Sequence, residues 1–245
     1  MKRPAVTIEI AKVTDAAEVT QFIREHWSVD HVLGSSKELL DWQYATRDHY
    51  NFVIARIRNE GIVGLLGFIP LSRYDTELTG SRDTVWLTVW KVREGVWSGL
   101  GLRLVRHVQE MWPSAQIGTL GLNEATLSIY EALRYRTGTL TRFALVRSDS
   151  RPKLLATIPD GWNPPRVVQG STVFTEVVDV DFLERMAGSE LNARPIPPFK
   201  TCGYIRERYL QHPFYTYSAW LASDGPRRGV LITRMCTHAG ASALR

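Results

Sequence analysis

Apolar and polar residues follow two different periods along the chain, and these predict both strands and helices. Runs rich in β-branched and aromatic residues predict strands at residues 7–13, 51–58, 62–71, 84–92, 116–122 and 139–147. Apolar residues at helical spacing predict helices at 16–27, from Ser36 onward, at 102–112 and at 124–133. The resulting order, β-α-α-β-β-β-α-β-α-β, predicts an α/β fold with mixed sheet pairing.

Local signals refine these elements. Thr14 and Asp15 precede the first helix, where either side chain can cap its N-terminus. The segment 28–35 predicts a loop, and Asn59-Glu60-Gly61 predicts the turn of a hairpin between the second and third strands. In the strand at 84–92, small apolar residues alternate with a second set, which predicts two different faces. The second set is Trp86, Thr88 and Trp90.

A glycine-rich segment at residues 92–102 joins the fourth predicted strand to the next helix. Gly99 and Gly101 let the main chain approach a ligand closely, because neither residue has a Cβ atom. Backbone N–H groups at a helix N-terminus, aided by the helix dipole, bind phosphate groups. A second segment opens with Asn123, a good helix N-cap, and places Tyr130 about two turns into the helix at 124–133.

Together these two segments resemble the acyl-coenzyme A binding segments of the GNAT (GCN5-related) N-acetyltransferase superfamily. The resemblance covers about residues 6–147 and implies a splayed, mixed β-sheet flanked by helices. It implies acetyl-CoA, or another acyl-CoA, as the cofactor, with its pantetheine arm between the strands at 84–92 and 116–122. The expected cofactor-binding residues are Val92, Arg93, Val96, Trp97, Ser98, Gly99, Leu100, Gly101, Leu102, Asn123 and Tyr130.

The resemblance also implies catalytic roles. Tyr130 is expected to be the general acid that protonates the leaving thiolate. Family loops usually carry Gln or Arg where this chain has Val96, so a side-chain contact to phosphate is lost. Many members carry a Glu on the strand matching 84–92, and this strand has no carboxylate. Candidates for the base elsewhere are His31 and Asp30, of which His31 is the better placed, with Glu94 and Asp83 less favoured. The proton can also leave through ordered water.

The expected acceptor side is rich in aromatic residues. Flat apolar faces suit a sugar ring or a nucleobase better than a lysine side chain. We expect Trp42 and Trp86 to bind the substrate together with Asp30 and His31. Residues 31–44 also resemble bacterial GNAT-type enzymes linked to surface-polysaccharide biosynthesis, which implies an amino-sugar acceptor, plausibly linked to a nucleotide.

The amino-acid composition limits the class of protein and the kinds of ligand that it can bind. The chain has 245 residues, of which 44% are hydrophobic and 22% charged, as in ordinary globular proteins. Its net charge of +5 suits an anionic ligand, but no run of Lys and Arg is long enough to indicate DNA binding. No apolar stretch has membrane-spanning length, and the N-terminus lacks the apolar core of a secretory signal. Cys202 and Cys236 have no Cys/His cluster around them, so we expect a cytoplasmic protein without a metal site.

The C-terminal part predicts a second unit. A Pro- and Gly-rich connector at 148–172 follows the GNAT-like acyl-CoA-binding domain at 1–147. At a shift of 165 residues, Tyr44, Tyr50 and Gly64 recur as Tyr209, Tyr215 and Gly229. Residues 173–245 are therefore expected to form a partial second GNAT-like unit. Its last strand would leave an unpaired edge, which suggests a truncated chain or a sheet completed by another molecule.

The leading hypothesis is an acyl-CoA-dependent N-acyltransferase in which a small-molecule amine attacks the thioester directly. Nothing indicates a covalent intermediate, because neither cysteine lies in the glycine-loop unit or beside a base. The alternatives are a tandem GNAT-like transferase that uses aminoacyl-tRNA, and a catalytically inactive GNAT-fold binding module. The expected partners are the amine substrate, plausibly an amino sugar, and a second copy of the chain in a homodimer, without DNA or a membrane.

Overall fold

The computed structural model describes residues 5–96, 98–140, 170–192, 197–238 and 241–244. Contacts divide the chain into two compact units. The first comprises Met1–Leu120 with Glu190–Arg208, and the second comprises Gly121–Ser189 with Tyr209–Arg245. The predicted strand at 139–147 and the predicted connector at 148–172 fall largely outside the described residues, and residues 139 and 140 carry no regular structure. The predicted domain boundaries stay predictions.

The first unit contains a five-stranded mixed sheet. Its strands are β1 (Val6–Lys12), β2 (His49–Ile57), β3 (Gly61–Pro70), β4 (Thr84–Val92) and β5 (Gln116–Thr119). They lie side by side in chain order, with antiparallel pairing up to β4 and parallel pairing between β4 and β5. The mixed α/β class predicted from the sequence is therefore confirmed.

Four helices of this unit flank the sheet or join its strands. They are α1 (Ala16–His26), α2 (Val32–Ser35), α3 (Lys37–Tyr44) and α4 (Leu100–Met111). Nearly every residue of β2 and β3 is buried, which is the pattern of central strands covered on both faces. The largest side chains without exposed surface include Phe52, Leu65, Leu66, Phe68 and Leu104. Burial of these residues contributes most of the hydrophobic stabilisation of the unit.

Side-chain caps set the starts of the early helices. Ser36, where the sequence predicts a helix to begin, caps α3 by accepting a hydrogen bond from Leu39 N at 3.2 Å. The prediction of a loop over 28–35 was wrong in part, because α2 begins at Val32 with His31 as its cap. Asp15 occupies the N-cap position of α1, but its carboxylate accepts from Lys12 N at 2.7 Å instead of capping that helix.

Two predicted boundaries around the glycine-rich segment shift. Helix α4 begins at Leu100, so Gly101 lies in its first turn and not in the preceding loop. Strand β5 ends at Thr119, earlier than the predicted Leu122. Both shifts affect the candidate site. The first sets where the helical backbone amides of α4 begin, and the second sets where the pairing of β4 with β5 ends.

The remaining elements are helices α5 (Glu124–Ala132), α6 (Val180–Asn192) and α7 (Cys202–Ile205), with strands β6 (Val173–Glu176), β7 (Ser218–Asp224), β8 (Arg227–Thr233), β9 (Met235–His238) and β10 (Ala241–Leu244). Strands β6, β7 and β8 form an antiparallel sheet in that order. Strands β9 and β10 pair with each other in antiparallel orientation. Helix α7 belongs to the first unit, whereas the strands belong to the second.

Candidate functional site

Strand β4 contains a bulge at its centre. Leu66 of β3 pairs with Trp90, and Phe68 pairs with Leu87, so two residues of β4 lie opposite Gly67 alone. A bulge of this kind bends the strand and redirects its side chains. Here it falls directly after Leu87, the last residue of β4 that pairs with β5.

The bulge changes the predicted division of β4 into two faces. Thr88 lies on the same face as α3, because its hydroxyl contacts Tyr44 of that helix. Trp90 lies on the opposite face, where its ring comes within 3.0 Å of the position a Cβ on Gly101 would occupy. Trp86 pairs with Ile69 and therefore shares the face of Thr88. The prediction that Trp86, Thr88 and Trp90 share one face was wrong, because the extra residue in the bulge shifts the alternation.

Beyond the bulge, the edge of β4 no longer pairs with β5. The last pair is Leu87 with Thr119, after which β5 ends and Gly121 turns the chain with φ of 76°. Arg93 N bonds to Val63 O of the β3 side at 2.9 Å, so the alternating backbone groups of Val92 and Trp90 point to the open side. The pairing of β4 with β5 thus ends at Leu87 and Thr119.

The glycine-rich segment presents helical amides next to this open edge. Gly99 is the N-cap of α4 with φ of 90°, a left-handed conformation that favours glycine. The first i to i−4 bond joins Arg103 N to Gly99 O at 3.2 Å, so the N–H groups of residues 100–102 precede the helical ladder. Apart from Gly99 and its two chain neighbours, no described atom lies within 4 Å of the place that a Cβ on Gly99 would take. The site therefore has the donors and the space that an anion requires.

The side chains predicted around this loop have different roles. Arg93 forms an ion pair with Glu60 on the β2–β3 turn, which occupies its guanidinium. Arg103, in the first turn of α4, is exposed. Val96 N contacts Arg93 O at 3.4 Å in a turn, and Ser98 is exposed beside Gly99. The remaining predicted loop residue, Trp97, lies outside the described residues.

Asn123 and Tyr130 belong to the second unit, whereas the glycine-rich segment belongs to the first. The Asn123 side chain caps α5, accepting from Thr126 N at 2.8 Å, as predicted. Tyr130 is only 2% exposed, and its ring packs edge-on against Tyr135 with 5.2 Å between the centroids. Its predicted role as the general acid stays a prediction.

His31 is primarily a helix cap. Its Nδ1 accepts a hydrogen bond from Leu33 N at 3.2 Å. A neutral imidazole that accepts at Nδ1 carries its proton on Nε2, so it can donate there but cannot remove a proton. Burial also lowers the pKa of His31. The neighbouring candidate, Asp30, is exposed. The cap makes His31 a weaker candidate for the base than its sequence position indicated, and that role stays a prediction.

A chain of polar groups reaches the bulge from α3. Gln43 Nε2 donates to the Tyr44 hydroxyl at 3.2 Å, and that hydroxyl donates to Thr88 Oγ1 at 3.0 Å. Tyr44 is 1% exposed, and its ring stacks on Phe52 with 4.3 Å between the centroids. Burial raises the pKa of Tyr44 to about 12, so its hydroxyl remains protonated near neutral pH. No local sequence pattern indicates this contact, which joins residues 44 positions apart.

The two predicted substrate-binding tryptophans have separate surroundings. Trp86 lies on the Thr88 face beside Gly118, where a Cβ would come within 3.1 Å of the ring. Trp42 packs against Tyr74 at 5.6 Å, and the Arg208 guanidinium lies 5.1 Å from the centre of the Trp42 ring. Cation–π contact of this type holds Trp42 within the first unit. Trp86 is therefore the better placed of the two to contact a ligand at the bulge.

Outside the candidate site, the described residues contain an open cavity but neither a metal-binding cluster nor a membrane-spanning helix. An open cavity of about 830 Å³ borders the outer side of α1, and none of the described predicted site residues lines it. Across the described part of the chain, no three His, Cys, Asp or Glu side chains gather in a way that could hold a metal ion. Among the described helices, none combines the length and the hydropathy needed to cross a bilayer.

Comparisons with known proteins give a match at the level of structure only. No protein-family profile matches the chain, and no curated protein matches its sequence. A solved structure of a provisionally assigned acetyltransferase from Pyrococcus horikoshii is similar, with a TM-score of 0.50 and 10% sequence identity. The match covers 97% of this chain and 73% of that one. At this identity the likeness establishes the fold alone, a mixed β-sheet flanked by helices.

Proposed function

We propose that the protein is an acyl-CoA-dependent N-acyltransferase that transfers an acyl group, most simply acetyl, to the amine of a small molecule. One observation carries the proposal: beyond Leu87, β4 no longer pairs with β5 and leads to the amide-lined start of α4 at Gly99. A splayed strand can pair with an amide-bearing arm, and a helix start can bind phosphate. Both features occur in the first unit, within residues 88–102.

The residues around α4 fit a diphosphate. Gly95 and Gly99 have open space where side chains would stand, and the amides of residues 100–102 are available to an anion. Arg103 adds an exposed cation in the first turn. The backbone of Trp90 and Val92 would bind the amide-bearing arm. Coenzyme A, when bound, supplies an acyl thioester whose C–S bond breaks as the new C–N bond forms.

The proton balance of this transfer defines what the protein must do. The attacking amine loses one proton, and the departing sulfur takes up one proton. We assign the second task to the Tyr130 hydroxyl. Because the thiol pKa is about 8.5, this assistance is useful without being essential. We assign the amine proton to solvent water, since His31 Nδ1 is engaged in the cap of α2.

The proposed acceptor is an amino sugar, plausibly linked to a nucleotide. Trp86 offers a flat apolar face on the side of the sheet that also carries Thr88. Asp30, His31 and Trp42 complete the proposed acceptor side. We place the reaction in the cytoplasm, with the amine as the partner and a homodimer as the proposed assembly. A role in polysaccharide biosynthesis would follow from such an acceptor.

A charge introduced beside Gly99 tests the cofactor site. Ser98 is exposed, so Ser98→Asp and the uncharged control Ser98→Asn should both fold normally. The added carboxylate should weaken acetyl-CoA binding roughly tenfold by repelling the phosphates, whereas the asparagine variant should bind like the wild type. Calorimetric titration with acetyl-CoA measures the effect. Equal affinities of the two variants for acetyl-CoA, or no binding of acetyl-CoA to the wild type, would contradict the proposed diphosphate site.

A second candidate is a tandem GNAT-like transferase that uses aminoacyl-tRNA. The observation in its favour is the succession β6, α6, α7, β7, β8, which resembles that of β1, α1, α3, β2 and β3 when the short helix α2 is left aside. On this ground we also propose a partial second GNAT-like unit over 173–245. RNA binding that falls steeply with salt would support the tandem transferase. Acetyl-CoA-dependent thiol release with a small amine would support the first proposal.

A further inference from the structure

Thr88 occupies a distinctive place in the sheet. It is the first residue of β4 beyond the last β4–β5 pair, and it belongs to the bulge opposite Gly67. A Cβ on Gly67 would come within 2.5 Å of Thr88 Oγ1 and 2.8 Å of the Phe52 ring. Only glycine at position 67 therefore leaves room for Thr88 to take this position.

The Tyr44 hydroxyl fixes the direction of the hydrogen bonds at Thr88. Tyr44 is buried and accepts from Gln43 Nε2, so its own proton must reach an acceptor. Within the described residues that acceptor is Thr88 Oγ1, at 3.0 Å. Because one lone pair of Thr88 Oγ1 receives this proton, the Thr88 proton points elsewhere. No described group accepts it, and Thr88 is partly exposed.

We propose that Thr88 binds the acceptor substrate by donating its hydroxyl proton to an oxygen next to the acceptor amine. This role rests on the proposed transferase function and deepens it. Trp86 lies on the same face of β4 and offers a flat surface to a ring. A ring amine with a neighbouring hydroxyl satisfies both groups at once. Thr88 thus selects hydroxylated ring amines over apolar ones of the same size.

The test compares two probes that differ in their hydroxyl groups. D-glucosamine carries a hydroxyl beside its amine, and cyclohexylamine has a ring of the same size without hydroxyls. We expect the wild type to bind glucosamine about tenfold more tightly, the effect of one well-placed hydrogen bond. Ligand-observed NMR titrations in the presence of free coenzyme A measure both dissociation constants without any turnover.

The variants isolate the Thr88 hydroxyl. Thr88→Val should abolish the preference for glucosamine, so that the two probes bind with about equal affinity. Thr88→Ser keeps the hydroxyl and should retain the preference. Thr88→Val also leaves the buried Tyr44 proton without an acceptor, which can destabilise the fold. The double variant Tyr44→Phe/Thr88→Val removes both ends of that bond and should fold while losing the preference. Thermal unfolding of each variant checks that the fold is retained.

The outcomes separate this inference from the transferase proposal. An unchanged preference in the valine variants, or a wild type that binds cyclohexylamine as tightly as glucosamine, overturns the role of Thr88. If the wild type nevertheless releases thiol from acetyl-CoA with another amine, the transferase proposal stands. Conversely, a Thr88-dependent preference without thiol release from any amine supports the acceptor site and contradicts the transfer reaction.

Discussion

Of the three sheets in the described residues, the five-stranded sheet and the β6–β8 sheet belong to similar successions of elements but differ sharply in burial. In the first, β2 and β3 are almost entirely buried between neighbouring strands and helices. In the second, all residues of β6 are exposed, and Phe174 retains 55% of its surface. Since burial of apolar area drives folding, the same order of elements yields two regions of very different expected stability.

Local details correspond between the two regions as well. Ser36 caps α3 by accepting from Leu39 N, and Thr201, 165 positions later, caps α7 by accepting from Tyr204 N. The shift also relates Tyr44 to Tyr209. Thr201 is only 6% exposed and α7 belongs to the first unit, so this cap recurs in a segment that is itself buried. Caps depend on neighbouring residues, whereas burial depends on the rest of the sheet.

The largest expected difference concerns one pair of leucines. Leu66 in β3 has no exposed surface, whereas Leu231, at the corresponding place in β8, is 45% exposed. Leu66→Ala should reduce the free energy of unfolding by about 2–5 kcal/mol, because it opens a cavity. Leu231→Ala should cost less than about 1 kcal/mol. Urea denaturation of both variants measures the difference, and equal losses would mean that β8 is covered in solution.

An intermediate effect is expected from pH at Tyr44. Burial raises the pKa of Tyr44 to about 12, against about 10 in the unfolded chain. Its contribution to stability is therefore complete below pH 10 and is lost as pH rises towards 12, by about 2–3 kcal/mol. Denaturation at several alkaline pH values should show that the free energy of unfolding falls less steeply with pH in Tyr44→Phe than in the wild type.

The matched control for this experiment is Tyr209→Phe, which removes the hydroxyl at the corresponding, half-buried position. Parallel losses of stability in the wild type and in Tyr44→Phe would contradict the burial of the Tyr44 hydroxyl. Absorbance of tyrosinate provides an independent record of the same ionisation.

The smallest expected effects on stability come from substitutions of the two helix caps, Ser36 and Thr201. Ser36→Ala should cost about 1 kcal/mol, which is typical of a lost helix cap. Thr201→Ala should cost about 1 kcal/mol more, because the Thr201 hydroxyl also donates to the Asp75 carboxylate in the first unit. Denaturation of Asp75→Asn, with and without Thr201→Ala, isolates that second bond. If both cap variants lose the same free energy, the bond to Asp75 contributes nothing.

Much of the fold could be predicted from periodicity and turn residues. Apart from α2, the succession from β1 to α5, the helix start at Ser36 and the cap at Asn123 follow from short-range patterns, and the structure confirms them. The candidate site was predicted less completely. The amide-lined start of α4 follows from Gly99, but the cap made by His31 and the ion pair of Arg93 depend on neighbours that sequence patterns do not reveal.

The sequence by itself determined the order of elements, the mixed sheet class and the place of the glycine-rich segment, because these depend on periods of a few residues. Only the tertiary structure decided which face each β4 side chain occupies. The bulge opposite Gly67 moved Trp90 to the α4 face and left Thr88 against Tyr44. That outcome depends on strand register and on contacts between distant residues, which no local pattern encodes.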